Sequence, residues 1–279
     1  MEFFSGRQLI IATKHSKERV IAPLLESELS VRTAVVEGLD TDEFGMFTGE
    51  VKRTHSPLKT AELKARKAME IMGSDLAVGS EGSFGPHPSA FFIPGNEEFV
   101  VLVDAKNDLT IRGRHLTTET NYAQADIHDL SELEYFAKQT KFPAHGLIVK
   151  GFRGDEEEII KDTKDLKSLK RCVTELIESK HRVRLETDMR AMRNPTRMKI
   201  ILEAARQLVN NIKSQCPKCK TPGFVVTGHV AGLPCRLCNT PTNSPEVFVY
   251  TCSKCAHTEE RRNSIKEYED PQYCQFCNP

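Results

Sequence analysis

Four Cys-x-x-Cys pairs near the end of the sequence constrain the fold more than any other feature. Their members are Cys216 and Cys219, Cys235 and Cys238, Cys252 and Cys255, and Cys274 and Cys277. Two thiolates separated by two residues can occupy adjacent corners of a tetrahedron, and two such pairs form a closed four-cysteine zinc site. Cysteines paired at this spacing are typical of metal ligands in a reducing compartment rather than of disulfides. We therefore expect two structural zinc ions.

The four pairs can be shared between two zinc ions in two ways. Gaps of 15, 13 and 18 residues separate consecutive pairs. Smaller loops cost less entropy to close, which favours a sequential arrangement with the first two pairs on one ion and the last two on the other. An interleaved arrangement is the alternative. Residues 246–251 are predicted to form a strand that leads into Cys252 and pairs with residues 223–227, as expected of a zinc-ribbon-like module.

The residues before the cysteine pairs have the pattern of an α/β domain. Strand-like runs occur at residues 8–13, 31–37, 76–79, 90–93, 99–104, 109–114, 147–150 and 183–186. Helical periodicity occurs at residues 17–29, 57–72, 130–139, 165–179 and 196–213. The runs between residues 90 and 114 are separated by turn residues and are predicted to be antiparallel. We therefore predict an α/β body with a mixed sheet flanked by helices over residues 1–205, followed by a cysteine-rich zinc-binding module over residues 206–279.

Charge and hydropathy exclude several classes of partner. Lys plus Arg and Asp plus Glu each total 39, so no net charge draws the protein toward nucleic acid or an anionic membrane. In residues 214–279, seven Lys and Arg stand against six Asp and Glu, so nucleic acid is a possible partner of the module but not a favoured one. No apolar run is long enough for a membrane span, and the expected location is cytoplasmic. The acidic loop after the second strand is expected to be exposed, and its carboxylates are Asp40, Asp42 and Glu50.

Three short motifs occur in order along the first part of the body. TKHSK at residues 13–17 lies where the first strand meets the first helix, TAELKA at residues 60–65 lies in the second helix, and GSEG at residues 79–82 follows a buried strand. In this order they resemble the motifs of the inosine and xanthosine triphosphate pyrophosphatases, although His15 and Thr60 stand where that family has asparagine. The resemblance covers roughly residues 7–105. It implies an ITPase-like fold and hydrolysis of a nucleotide with the help of Mg²⁺.

The same motifs supply candidate site residues. Thr13 and Lys17 are expected to bind phosphate at the start of the first helix, where backbone N–H groups and the helix dipole favour an anion. The resemblance adds Lys64 as a third phosphate-binding residue. Glu81, on a glycine-rich turn after a buried strand, is the expected catalytic carboxylate and magnesium ligand, because a carboxylate-held Mg²⁺ can polarise the phosphorus and position a water.

A dense group of charged residues precedes the last helix of the body. Arginines near a helix N-terminus oppose its dipole unless an anion joins them, so we expect a phosphate or a carboxylate beside them. We predict that Asp188, Arg190 and Arg197 are catalytic and face the same cleft as Glu81.

Four further segments resemble recurring segments of a bacterial family of unknown function with a cysteine-rich tail. They are residues 81–88, 188–191, 194–198 and 274–279. This second resemblance implies no reaction. The function expected from the residues is Mg²⁺-dependent hydrolysis of a nucleotide or related phosphorylated small molecule. The alternative is a non-catalytic protein that binds a nucleotide or RNA in the same pocket and docks a partner through its zinc module.

Overall fold

The computed structural model describes residues 3–36 and 54–279 and divides the chain into two compact units. The first unit is Met1–Leu208 and the second is Val209–Pro279. The chain passes from one to the other within a helix, Pro195–Lys213, which also contains the sequence-based boundary at residue 205. The acidic residues Asp40, Asp42 and Glu50 lie outside the described residues.

A five-stranded mixed sheet forms one part of the first unit. Its strands are β1 (Gln8–Ala12), β2 (Arg32–Val35), β3 (Leu76–His87), β4 (Ala90–Asp104) and β5 (Leu109–Thr117). They lie in the order β2-β1-β3-β4-β5, with β1 parallel to both of its neighbours and β4 antiparallel to both β3 and β5. The predicted antiparallel strands after residue 90 therefore join the same sheet as the parallel ones.

Helices pack closely on both faces of this sheet. They are α1 (Glu18–Leu29), α2 (Pro57–Met72) and α5 (Pro195–Lys213). A Cβ at Gly79 would overlap the carbonyl oxygen of Ala61 in α2, and a Cβ at Gly113 would overlap that of Ala204 in α5. These glycines project from opposite faces, so α2 and α5 cover the two sides. None of the helices in the described ranges has both the length and the apolar character that a membrane crossing requires.

The hairpin of β3 and β4 is longer than the sequence pattern predicts. The pattern predicts separate strands at residues 76–79, 90–93 and 99–104, but the stretches between them also lie largely within β3 and β4. Their turn-forming residues face each other across the hairpin, because Gly85 pairs with Gly95 and Pro86 pairs with Pro94. Two prolines placed opposite each other leave no unpaired N–H between them, so the antiparallel register tolerates both.

A second sheet, of four antiparallel strands, completes the first unit. It consists of β6 (Gln124–Ile127), β7 (Leu147–Arg153), β8 (Glu156–Ile160) and β9 (Arg182–Thr187), in the order β6-β9-β7-β8. Its buried core includes residues of α3 (Leu130–Gln139) and α4 (Leu166–Glu178). The body thus has two sheets where the pattern predicts one. The polar sequences of β6 and β8 carry no strand signal, and periodicity does not say which strands share a sheet.

The second unit contains a small antiparallel sheet beside its cysteines. Its strands are β10 (Val225–Ala231), β11 (Pro245–Thr251) and β12 (Thr258–Arg262), with β11 in the centre. The predicted pairing of β11 with the segment after the first cysteine pair is present, since Val225 lies opposite Thr251. Phe224 packs with Cys216 and Cys252 in the core of this unit.

Candidate functional site

The loop between β1 and α1 places a lysine inside the protein. Lys17 is the N-cap residue of α1, and only 6% of it is exposed. Its Nζ atom donates to the carbonyl oxygen of Ser80 at 3.4 Å. The side chain therefore crosses from the start of the helix to β3, at a point where strand β1 has already ended beside Gly79.

A second buried lysine meets the predicted magnesium ligand. Lys64 lies on the buried side of α2, and its Nζ atom is 2.5 Å from Oε2 of Glu81 on β3. The other oxygen of Glu81 accepts the N–H of Gly82 at 3.3 Å. Both side chains are almost fully buried. This pair fixes the Glu81 carboxylate between α2 and the sheet.

A third buried cation, Arg197, pairs with a carboxylate that the sequence motifs do not include. Arg197 and Glu98 are both essentially inaccessible, and Nε of the arginine is 2.7 Å from Oε1 of the glutamate. The guanidinium also donates to the carbonyl oxygen of Met189. The ring of Phe84 lies 4.9 Å from the guanidinium carbon. The expected anion beside this arginine is thus a carboxylate of the protein itself.

Strand periodicity could have identified Glu98. In β4, Glu97 is partly exposed and pairs with Arg114, whereas Glu98 points to the side of the buried Val100. Glu98 lies opposite Gly82, and a Cβ at Gly82 would overlap its carboxylate. A glutamate on the apolar face of a strand, opposite a glycine, was the available signal.

These five side chains act on one another electrostatically. We name Lys17, Lys64, Glu81, Glu98 and Arg197 the buried charge cluster. The pKa of Lys17 is lowered to about 8, chiefly by burial and in addition by the positive charge of Arg197, although Glu98 and Glu81 act in the opposite direction. The two glutamates project from opposite faces of the β3–β4 hairpin, and Lys17 interacts with both. The cluster therefore combines three cationic groups with two carboxylates, which leaves one positive charge in excess among the residues that the structure describes.

Two buried hydroxyl groups belong to residues that lie four positions before Lys17 and Lys64 in the chain. Thr13 follows β1, and Thr60 lies one helical turn before Lys64 on α2. Both are more than nine-tenths buried, and neither hydroxyl has a hydrogen-bond partner among the described residues. Buried polar groups in proteins are nearly always hydrogen-bonded, so these two hydroxyls are candidates to donate to an acceptor on a ligand.

Asp188 and Arg190 form a separate network. Nη2 of Arg190 lies 2.6 Å from the buried carboxylate of Asp188 and 2.9 Å from that of Asp162. Asp162 also pairs with Arg193. The intervening Met189 connects this network to Arg197 through its carbonyl oxygen. The structure thus brings Arg197 into the buried charge cluster and pairs Asp188 and Arg190 with each other.

A cavity of about 340 Å³ lies beside the network of Asp188 and Arg190. Its walls include Phe84 and Tyr122, whose rings stack with centroids 6.1 Å apart. Asp188 and Arg190 line the same cavity. Phe84 thus contacts Arg197 and also borders the cavity. Asp188 and Arg190 line the cavity and are not part of the buried charge cluster, and the catalytic roles predicted for them stay predictions.

The eight paired cysteines form two tetrads, and their arrangement is interleaved. The first tetrad consists of Cys216, Cys219, Cys252 and Cys255, and the second of Cys235, Cys238, Cys274 and Cys277. The sequential sharing favoured by loop entropy is wrong. Within each tetrad, all four sulfur atoms lie within 4.8 Å of one another.

The strands explain the interleaving. Strand β10 has seven residues, so it separates the first cysteine pair from the second by roughly 20 Å. Because β10 and β11 are antiparallel, the start of β10 lies beside the end of β11, and Cys219 approaches Cys252 there. At the opposite end, Cys235 forms an isolated bridge with Glu269, which brings the last pair near. Sheet pairing therefore outweighs the entropy of closing the smaller loops.

The sulfur geometry fits a tetrahedral metal ion. Neighbouring sulfurs are separated by 3.5 and 3.7 Å in the first tetrad and by 3.7 and 3.9 Å in the second. Zinc–thiolate bonds of about 2.3 Å place tetrahedral sulfurs about 3.8 Å apart. Hydrogen bonds with the hydroxyl and the N–H of Thr221 lower the pKa of Cys219 to about 6, which favours the thiolate that binds metal. Each tetrad could therefore hold a metal ion such as zinc.

Comparison with known proteins identifies a family. A comparison with curated proteins finds no match. Among solved structures, the chain is similar to the crystal structure of protein VC0702 from Vibrio cholerae, with 10% sequence identity over 75% of this chain and 96% of that one. The TM-score is 0.34, too low to assign a fold. The family described as "Domain of unknown function (DUF6671)" matches residues 64–279, which include Lys64, Glu81, Glu98, Arg197 and both cysteine tetrads. The chain therefore belongs to the DUF6671 family.

Proposed function

We propose that the first unit is an ITPase-like hydrolase that acts on a nucleotide or related phosphorylated small molecule with the help of Mg²⁺. The observation that carries this proposal is the buried charge cluster beyond the end of β1. Lys17, Lys64 and Arg197 reach it from three different helices or their starts, and Glu81 and Glu98 reach it from neighbouring strands.

The excess charge of the cluster favours an anionic ligand. Removing a cation from water costs several kcal/mol unless an anion pairs with it. Lys64 and Arg197 each have a carboxylate, whereas Lys17 donates to a carbonyl oxygen at 3.4 Å. A phosphate would supply the missing negative charge and could accept hydrogen bonds from the hydroxyls of Thr13 and Thr60.

One carboxylate of the cluster fits a divalent cation. Mg²⁺ prefers oxygen ligands and is commonly held by one or two carboxylates together with the oxygens of a substrate phosphate. Glu81 is the proposed magnesium ligand, and a magnesium ion held there would supply charge stabilisation for phosphoryl transfer. The remaining contribution of the chain would be positional: Lys17 and Lys64 would hold the phosphates, and the ion pair with Glu98 would fix the position of Arg197.

For the second unit we propose a structural role as a zinc-ribbon-like module. Four cysteines fill the coordination sphere of zinc and leave no position for substrate. The two tetrads at opposite ends of a three-stranded sheet support two zinc ions with this role. Thiols held as metal ligands are typical of reducing compartments, which supports a cytoplasmic location.

One observation favours the non-catalytic alternative. Glu81 and Glu98 are both engaged by protein cations, so the cluster is balanced to within one charge without any metal. A protein that only binds a nucleotide or an RNA end needs the cations and not a free carboxylate. In that case the zinc module would dock a partner.

A nucleotide panel separates the two functions. Hydrolysis in the presence of Mg²⁺ is measured alongside the shift in melting temperature that each ligand produces. Turnover supports the hydrolase, and stabilisation without turnover supports the binding protein. A matched pair of variants links the result to the site, because Lys17→Ala should reduce the stabilisation while Lys67→Ala, which removes an exposed lysine on α2, should leave it unchanged. If the panel causes neither turnover nor stabilisation, both proposals are wrong.

A further inference from the structure

The two cysteine tetrads share one backbone motif but present different side chains to solvent. The third position of each Cys-x-x-Cys pair is an exposed lysine in the first tetrad, Lys218 or Lys254. In the second tetrad the same position is apolar, and Leu237 is 74% exposed while Phe276 is 75% exposed. A lysine is therefore compatible with this position of the motif, so the folding of the motif itself does not require the apolar residues of the second tetrad.

Three more exposed apolar side chains lie around the second tetrad. Tyr273 directly precedes Cys274, and its ring centroid lies 6.0 Å from Nζ of Lys266, the neighbour of Ile265 in the chain. Tyr268 precedes Glu269, which forms the isolated bridge with Cys235. We name the whole set the apolar cap, and its members are Leu237, Ile265, Tyr268, Tyr273 and Phe276.

The apolar cap has the size of a protein interface. Its five side chains are between 40% and 85% exposed and together offer on the order of 600 Å² of surface, since one aromatic side chain can bury roughly 150–250 Å². Exposed apolar patches larger than a few hundred Å² mark interaction sites, and a standard interface buries about 800 Å² on each partner. With a polar rim, the apolar cap is large enough to form one complete interface.

We propose that the apolar cap binds the apolar cap of a second copy of this chain, so that the protein dimerises through its zinc modules. A two-fold symmetric contact brings the same patch to both sides, and the patch must therefore complement itself. An apolar centre meets this requirement because hydrophobic burial is not directional. The charged residues next to the cap in the chain nearly balance, which favours neither a nucleic acid nor a strongly charged protein. They are Arg236 and Lys266 against Glu267, Glu269 and Asp270.

Giving the second tetrad the lysines of the first tests this proposal. The mass of the zinc-loaded full-length protein is measured by analytical ultracentrifugation over a range of concentrations. Wild type should reach twice the 31.4 kDa of one chain. Leu237→Lys/Phe276→Lys should weaken the dimer by at least about 30-fold, the scale on which central interface residues act, because the contact would bury unpaired charge. Its zinc content, measured by native mass spectrometry, should stay at two ions.

Two further variants show whether the effect belongs to the apolar cap. Ile265→Lys lies outside the Cys-x-x-Cys pairs and should also weaken the dimer, which keeps the test valid if the double variant loses zinc. The matched control is Tyr135→Lys, which changes a 67% exposed aromatic residue on α3 of the first unit and should leave the dimer unchanged.

The salt dependence of the wild-type dimer distinguishes apolar burial from ion pairing. Each copy brings a small excess of acidic residues beside the cap, so added salt should screen their repulsion and tighten the dimer. A dimer that salt dissociates would rest on ion pairs and would overturn the proposal. A wild type that stays monomeric at every concentration would also overturn it and would leave the cap to a different protein, as would a dimer that survives unchanged in both cap variants.

Discussion

Two individual residues, Gly82 and Lys17, show how the charged groups of the buried charge cluster are placed. Gly82 has no side chain, and the carboxylate of Glu98 occupies the space where a Cβ would project. Lys17 caps no backbone group of α1 with its side chain and instead extends to β3. These placements put charge inside the first unit, where its effects are stronger than at the surface because the surrounding dielectric is lower.

Replacement of Glu81 by glutamine should separate its chemical role from its structural one. Glu81→Gln removes the negative charge proposed to hold Mg²⁺, so we expect turnover to fall by about 10² or more. The melting temperature should also fall, because Lys64 loses its buried partner. Stability is measured by thermal unfolding and turnover with the best substrate of the nucleotide panel.

Two control variants distinguish loss of the charge of Glu81 from loss of stability or of phosphate binding. Glu81→Gln/Lys64→Met should recover stability without recovering activity. Lys17→Ala should weaken phosphate binding and raise KM more than it lowers kcat. Full activity in Glu81→Gln would place the metal site elsewhere.

Phosphate binding should depend on pH through Lys17. Its pKa in the ligand-free protein is lowered to about 8, mainly by burial. Below that pH the ammonium is charged and attracts the anion, and above it the amine is neutral, so affinity should fall as pH rises through about 8. The measurement is tripolyphosphate affinity for wild type and Lys17→Met across this range of pH. Tripolyphosphate also titrates in this range of pH. The quantity to compare is therefore the difference in affinity between wild type and Lys17→Met, which should shrink at high pH. A constant difference would contradict it.

The β-strands of the second unit determine which cysteine pairs share a tetrad. All four cysteine pairs share one backbone motif, in which the N–H four residues after the first cysteine donates back to its carbonyl oxygen, as in Lys220 to Cys216 and Asn239 to Cys235. The pairs are therefore locally alike. Strands β10 and β11 decide which of them meet, because they carry alternate pairs to opposite ends of the sheet.

Zinc counting on double variants should verify the interleaving. Cys219→Ser/Cys252→Ser damages only the first tetrad and should retain about one zinc per chain, while Cys219→Ser/Cys235→Ser damages both and should retain none. Sequential pairing would give the opposite result. Native mass spectrometry of protein purified without chelator provides the count, with wild type expected to carry two zinc ions.

At the scale of the whole molecule, the two units derive their stability from different sources. The first has two sheets with helices packed against buried apolar clusters. In the second, Phe224 and two cysteines form a buried apolar cluster with only a few partly buried neighbours. So small a core cannot offset the entropy of ordering the chain, and metal binding must contribute much of the folding free energy.

Removal of zinc should therefore unfold one unit selectively. In a strong chelator under reducing conditions, residues 214–279 should become sensitive to protease, while the strands and helices of the first unit stay protected. Limited proteolysis with mass spectrometry measures this, and added zinc should restore protection. Loss of both units at the same chelator concentration would show that they fold as one.

The sequence alone determined the features that depend on local spacing. Cys-x-x-Cys pairs predict tetrahedral thiolate sites because a spacing of two residues lets both cysteines bind one metal ion as adjacent ligands. Apolar periodicity located all five α-helices and most strands of the described residues. The tertiary structure decided how distant segments meet. The interleaved tetrads, the division into two sheets and the pairing of Arg197 with Glu98 all join residues far apart in the chain, and their free energies come from packing and burial that local patterns do not contain.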